Sequence, residues 1–153
     1  MTNFGFRIFP LERRADQDVI QRFGGLATPL ISDNMNRLQG VSCELRPMHQ
    51  SAKILGTAFT VKTRSGDNLM VHKAIDMAQP GDVIVVDAGG EKTQAIIGEI
   101  MMRLALKKGI AGFVIDGTIR DSSAFYKEDY ACYAAGVTHR GPYKEGPGEI
   151  NVP

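Results

Sequence analysis

Two short words hold the residues of this chain best suited to chemistry: Gly98-Glu99 and, further on, Arg120-Asp121. Together they supply two carboxylates and a guanidinium. Carboxylate oxygens bind hard divalent cations. A guanidinium forks around a carboxylate substrate, and a second acid nearby can move protons. The combination points to metal-assisted chemistry on a small oxo-acid.

The elements around these words must bring them together. Val83–Asp87 reads as a buried strand leading into Ala88-Gly89-Gly90, then a helix stopped by Gly109, then a second strand over Gly112–Ile115 ending at Asp116-Gly117. That is a βαβ pattern, with two parallel strands and a right-handed crossover. Ligands in such layouts sit beyond the carboxyl ends of the strands, which puts Asp87, Gly89, Gly90, Asp116 and the Arg120-Asp121 loop on the ligand side. The helix start decides the role of Glu99. If Thr93 caps a long helix, Glu99 is a solvated side chain off its apolar stripe. If Gly98 breaks the chain, the helix begins at Glu99 and the free amides of Ile100 and Met101 make an anion site. Spacing alone leaves both open.

Upstream, residues 11–23 read as a charged helix with Val19, Ile20 and Phe23 on one side, stopped by Gly24-Gly25. Thr28-Pro29 starts a second, with Thr28 as its hydroxyl cap, running to about Leu38 and ending at Gly40. Ile54 to Lys62 carries strand formers. Asp67 caps a helix with Leu69, Met70, Ala74 and Met77 inward. From pattern alone the class is mixed α/β with at least one parallel βαβ unit, as a single domain over 1–153.

Composition removes several function classes. The chain has 43% apolar and 23% charged residues and a net charge of +1, an ordinary soluble profile without the basic patch that nucleic acid needs. No apolar run approaches the roughly 18 residues of a membrane span, and Met1-Thr2-Asn3-Phe4-Gly5 lacks a signal-peptide pattern. Cys43 and Cys132 stand alone and read as reduced thiols of a cytoplasmic protein. Gly89-Gly90-Glu91-Lys92-Thr93 lacks the order of a phosphate loop, and no dinucleotide fingerprint or nucleophile elbow is present. His49, His72 and His139 have no ligand spacing and read as surface or core residues. Met70, Met77, Met101 and Met102 read as core filler, and Lys92, Lys107 and Lys108 as solvated charges.

The words Pro-Gly-Asp-Val-Ile-Val-Val-Asp (80–87), Gly98-Glu99, Ile115-Asp116-Gly117, Arg120-Asp121, Gly-Val-Thr-His-Arg-Gly-Pro (136–142) and Gly-Pro-Gly-Glu-Ile-Asn-Val-Pro (146–153) occur together here. Ile31-Ser32-Asp33 and Gly66-Asp67-Asn68 extend the match upstream. This set resembles the regulator of RNase E activity A-like family, which includes the 4-hydroxy-4-methyl-2-oxoglutarate and 4-carboxy-4-hydroxy-2-oxoadipate aldolases. The resemblance implies a swivelling-domain-like α/β/β sandwich assembled as a homotrimer or homohexamer. It implies a class II aldolase that cleaves 2-oxo diacids to pyruvate, with oxaloacetate decarboxylation as a side activity. Asp121 would hold magnesium or manganese, largely through water. Arg120 would grip the oxo-acid and stabilise enolate charge. The amides of Ile100 and Met101 beside Gly98 would take the carboxylate, and Glu99 would orient a water that carries the proton.

Aldolase members carry an acid upstream of the Arg-Asp pair, matched here by Glu99, whereas the ribonuclease regulator lacks it. A non-catalytic regulator of a ribonuclease is therefore the alternative. A quinone-precursor methyltransferase is a weaker one, since no S-adenosylmethionine-binding glycine loop is present. Ala124 stands where members often have an acid after the pair. Family members also continue past Glu149–Pro153 into a further β segment, and this chain stops there.

Overall fold

A computed structural model describes residues 5–152. The signal-peptide reading of residues 1–4 and the last residue of the 146–153 word lie outside the described residues. In chain order the elements are β1 (Phe6–Ile8), α1 (Gln17–Phe23), α2 (Thr28–Asn34), β2 (Arg46–Pro47), β3 (Thr57–Thr63) and α3 (Leu69–Met77). There follow β4 (Asp82–Ile97), α4 (Glu99–Lys107), β5 (Gly112–Ile119), α5 (Ser122–Lys127), β6 (Cys132–Val137) and β7 (Gly148–Ile150).

Alternating burial along β3 sends Phe59, Val61 and Thr63 inward and leaves Thr60 and Lys62 exposed, as a half-buried strand requires. β4 and β5 carry near-continuous apolar runs and sit at the centre of the sheet. The strand order is β1-β7-β3-β4-β5-β6-β2. β3, β4, β5 and β6 are mutually parallel, while β7 and β2 pair antiparallel to β3 and β6. The α/β class and the parallel βαβ unit are as the sequence suggests, and the strands form one continuous hydrogen-bonded sheet. α4 touches both α3 and α5, so the crossover helices lie side by side. Phe59, Ile84, Val86, Phe113, Ile115 and Phe125 are buried at the centre with Met70, Met101 and Met102, which are core filler as expected. Cys43 is exposed, Cys132 is buried, and both are free thiols. Among the described residues no helix is long and apolar enough to cross a membrane.

Several boundaries differ from the sequence reading. β4 does not end at Asp87. It runs on to Ile97 through register shifts after Asp87, Glu91 and Ala95. Gly89 and Gly90 adopt φ of 66° and 68°, and that left-handed backbone lets the strand bulge and resume pairing. Asp87 and Asp116 therefore face each other mid-sheet instead of ending their strands, and the ligand end moves to Gly98 and Arg120. The helix start at Glu99 holds, and the one at Thr93 does not. α2 ends at Asn34 because Asn36 and Arg37 turn left-handed (φ 56° and 59°), and its N-cap is Ala27, not Thr28. α1 covers only Gln17–Phe23 of the expected 11–23. Lys108 is not merely solvated: its Nζ donates to the carbonyls of Ile75 and Asp76.

One buried carboxylate ties the loop ahead of β7 to the start of α3. Asp67 is 1% exposed. Its Oδ1 accepts the Leu69 N–H at 2.9 Å, and its Oδ2 accepts those of Glu145 and Gly146 at 2.7 and 2.9 Å. The N-cap of α3 is Asn68 and not Asp67, which lies one residue ahead of it and accepts the first helical amide. Burial opposes its ionisation, but the three amides and the Arg64 charge outweigh burial and hold its pKa below the ordinary value. Replacing Asp67 with Asn should cost about 2 kcal/mol at pH 7, since an amide cannot accept from all three donors. A depressed carboxyl pKa contributes stability that is present above the unfolded value of about 3.9 and is lost as pH falls through the folded value. The melting gap between the two proteins should therefore close as pH falls below about 4. A gap that does not narrow at all between pH 7 and the acid limit of folding would contradict this.

Candidate active site

The site forms where β4 gives way to α4 and β5 gives way to α5. Gly98 is the N-cap of α4, in extended conformation, and its carbonyl accepts the Met102 N–H at 3.0 Å. Helix geometry leaves the amides of Ile100 and Met101 without intrahelical acceptors. The Glu99 amide is taken by Asp121 Oδ2 at 3.1 Å. Alongside, the Arg120 N–H donates to the Ile97 carbonyl at 3.0 Å, which locks the end of β5 against the end of β4. Asp121 then turns left-handed (φ 56°) to enter α5, a conformation that aspartate tolerates better than most residues.

Gly98 makes this approach possible. A Cβ there would lie 2.6 Å from Asp121 Oδ2 and 2.9 Å from Arg120 Cγ, distances that no real Cβ adopts. Arg120 Nε lies 3.6 Å from Asp121 Oδ2. A guanidinium, a carboxylate and a helix N-terminus thus share one small volume.

A cleft of about 160 Å³ opens there, walled by Asn68, His72, Gly98, Ile100, Met101, Arg120 and Lys144, among others. Of the residues expected from sequence, Gly98, Ile100, Met101 and Arg120 line it. Asp121 is not among its walls; it sits beside Arg120 and accepts the Glu99 amide. The Glu99 side chain is placed differently: its Oε1 accepts from Arg103 Nε at 2.8 Å, an i,i+4 pair, and Arg103 also bonds Glu128 at 3.2 Å. Glu99 is not among the cleft walls, although its backbone forms the helix start.

Asn68, His72 and Lys144 were not singled out from sequence. Asn68 and His72 are one turn apart at the start of α3, and the His72 N–H donates to the Asn68 carbonyl. Burial and the Lys144 charge push the His72 imidazole below its ordinary pKa, which keeps it neutral at pH 7. Lys144 sits on the loop held by Asp67. The advance signals were the Gly66-Asp67-Asn68 word and an Asp67 cap ahead of an apolar helix, neither of which gives Asn68 a role, and His72 reads from sequence as a surface or core residue. His49 is buried against Cys132, with Nδ1 3.1 Å from its amide, and His139 is exposed.

A larger groove of about 700 Å³ lies between α1, α2 and the β2–β6 edge. Val19, Phe23, Leu26, Ile31 and Leu55 make it mainly apolar. Its walls carry no acid and no arginine, whereas Arg120 walls the smaller cleft with Asp121 beside it, so size alone does not select it.

Among the described residues no three His, Cys, Asp or Glu side chains cluster as a metal cage. Asp121 is a single half-exposed carboxylate whose Oδ1 has no recorded protein donor among the described residues. That donor set suits a hard cation that keeps most of its waters and takes one or two carboxylates plus substrate oxygens, as magnesium does. Substituting Gly98 with Ala should push Asp121 and Arg120 outward. The expected result is at least tenfold faster hydrogen exchange at the Glu99 amide, with the fold intact by circular dichroism. Unchanged exchange would show that the approach does not depend on a bare Cα.

The RraA-like family model (Aldolase/RraA) matches residues 28–153. A Halalkalibacterium halodurans protein, provisionally named a 4-hydroxy-4-methyl-2-oxoglutarate aldolase, is 41% identical over 92% of this chain and 67% of its own. The 4-hydroxy-4-methyl-2-oxoglutarate aldolase of Thermus thermophilus is 37% identical over 67% of this chain and 62% of its own. The chain thus spans about two thirds of the length of these curated relatives. The solved structure of the RNA-processing inhibitor RraA, also from Thermus, superposes with a TM-score of 0.74 at 29% identity, covering 84% of this chain and 77% of that one. The chain belongs to the RraA-like family of aldolases and RNA-processing inhibitors.

Proposed function

We propose that this chain is a divalent-metal-dependent aldolase that cleaves 4-hydroxy-4-methyl-2-oxoglutarate-type 2-oxo diacids to pyruvate, with oxaloacetate decarboxylation as a side activity. One observation carries the reading: Arg120 and the open amides of α4 wall one cleft, and Asp121 sits beside Arg120 on the first amide of α4, against a glycine that leaves them room. The names of the aldolase relatives support the substrate class.

In the cleavage, the C4 hydroxyl gives up its proton and the C3–C4 bond breaks. The bonding pair moves onto C3 and the 2-oxo oxygen as an enolate, C4 becomes a carbonyl, and C3 is then protonated to give pyruvate. The amides of Ile100 and Met101 hold the C1 carboxylate at the positive end of α4. The Arg120 guanidinium donates to the 2-oxo oxygen, where negative charge grows, and so stabilises the transition state more than the ground state. A divalent cation at Asp121, when bound, would add Lewis-acid charge at the same oxygen. Glu99 orients a water for the proton through the oxygen that Arg103 does not hold. Oxaloacetate decarboxylation yields the same enolate, so the same groups serve it. The reading includes a small 2-oxo acid as partner, a cytoplasmic location and a homotrimeric or homohexameric assembly.

A second reading is a non-catalytic regulator of a ribonuclease. The likeness to an RNA-processing inhibitor favours it, as does Glu99, which pairs with Arg103 like an ordinary helix-surface residue.

Substituting Arg120 with Lys separates the two. Lysine keeps the charge but loses the planar fork. Pyruvate release should fall at least thirtyfold, equivalent to about 2 kcal/mol of transition-state stabilisation. A lysine variant with near wild-type turnover would make Arg120 a structural residue. Absence of pyruvate in both proteins, with retention of a ribonuclease in a pull-down, would favour the regulator.

A further inference from the structure

The groove between α1, α2 and the β2–β6 edge shares no wall residue with the Arg120 cleft. Its volume of about 700 Å³ falls within the span of sites that enclose a small organic ligand, roughly 300–1,000 Å³. Val19, Phe23, Leu26 and Leu55 are exposed along it, and contiguous apolar surface of this kind marks a place where something binds.

One wall residue is buried and carries an unused donor. His49 is 6% exposed. Its Nδ1 lies 3.1 Å from the Cys132 amide and 3.0 Å from the Cys132 carbonyl. The carbonyl already accepts the Met48 N–H at 2.8 Å, whereas the amide can only donate. Nδ1 therefore accepts from the amide, and the ring proton sits on Nε2. Nε2 lies across the ring from Nδ1, away from the β6 backbone, and among the described residues no protein acceptor takes its proton. It is not sealed either: among the described residues, Thr63 Oγ1 and Asn68 Oδ1 are the partnerless side-chain atoms shut off from solvent. The opening that the ring walls is the groove, and Tyr133, edge-on to the ring with centroids 5.1 Å apart, walls it too.

The rest of the polar wall narrows the ligand. Asp129 accepts the amides of Gln50, Ser51 and Ala52 and the Ser51 hydroxyl, and Gln50 Nε2 donates to the Tyr126 carbonyl at 2.9 Å. Those donors are occupied. Lys53 is the cation of the wall, and its Nζ makes one long contact, 3.4 Å to the Gly24 carbonyl, which leaves donors over. Among the described residues no Asp or Glu walls the groove. A neutral donor, one positive charge and a broad apolar surface are complementary to a singly charged acceptor on an apolar body. A 2-oxo diacid carries two charges and too little apolar surface to match.

We propose that this groove binds a small apolar monocarboxylate. The His49 Nε2–H donates to its head, the Lys53 charge stands on the same wall, and its hydrocarbon body lies against Val19, Phe23, Ile31 and Leu55. The assignment goes beyond the aldolase reading and does not depend on it.

The probe is octanoate, titrated by calorimetry into the full chain, with 1-octanol as the uncharged analogue and suberate as the doubly charged one. Octanoate should saturate one site and bind about tenfold more tightly than either, the effect of one charge-assisted hydrogen bond. In nitrogen NMR the His49 ring signals should move on titration, while those of His72 and His139 stay. His49→Asn keeps an acceptor for the Cys132 amide and removes the Nε2 donor, and Lys53→Met removes the charge while keeping the length. Each should weaken octanoate about tenfold and change 1-octanol little. Lys53 is exposed, so its variant decides the matter if His49→Asn does not melt cooperatively. No saturable octanoate binding, equal affinity for 1-octanol, or octanoate affinity unchanged by Lys53→Met overturns the assignment. A shift at His72 in place of His49 overturns it too, because it puts octanoate in the Arg120 cleft. Absent binding together with an assembly that Phe23→Asp dissolves overturns it in favour of a second copy of the chain over the groove.

Discussion

The site depends on one steric fact: nothing stands between the Gly98 Cα and the side chains of Arg120 and Asp121. Two parallel strands end side by side, and the helix leaving one must start within hydrogen-bond reach of the loop leaving the other. Any Cβ at Gly98 would stand 2.6 Å from Asp121 Oδ2, too close for both to stay. With that space open, the Asp121 carboxylate takes the first amide of α4, and helix geometry leaves the next amides without intrahelical acceptors. Charge and dipole then share a volume too small for any one element to create alone. The left-handed turn at Asp121 completes the arrangement by sending the chain away into α5.

Much of this was legible in the chain because its signals are local. A run such as Val83–Val86 marks a buried parallel strand, Arg120-Asp121 falls after a second such strand, and the helix start at Glu99 was one of the two that spacing left open. The extent of β4 was not legible. Gly89-Gly90 looks like a loop, yet glycine also permits bulges, and only the partner strand β5 shows which occurs. α2 likewise ends early because Asn36 and Arg37 adopt positive φ, where glycine would have been the plain signal. Asn68, His72 and Lys144 stayed hidden for a different reason. They arrive from α3 and the loop after β6, and their meeting with Arg120 is a product of sheet order, which no local pattern encodes.

The two readings of the fold differ less in architecture than in what the cleft is asked to do. A protein-binding surface needs area, and the exposed Ile100 and Leu104 on α4 could contribute to one. An aldolase needs donors aimed where enolate charge develops, and Arg120 with the α4 amides meets that need. Glu99 is the residue on which the two readings meet. Its backbone belongs to the helix start, while its side chain pairs with Arg103, so its part in proton transfer rests on the oxygen left over.

The most direct test of the account is pyruvate release from 4-hydroxy-4-methyl-2-oxoglutarate by the unaltered chain, with Mg²⁺ or Mn²⁺ and after chelation. The account predicts steady release with metal, loss of release on chelation, and recovery when metal is returned. No pyruvate in the presence of metal, or an undiminished rate after chelation, would contradict it.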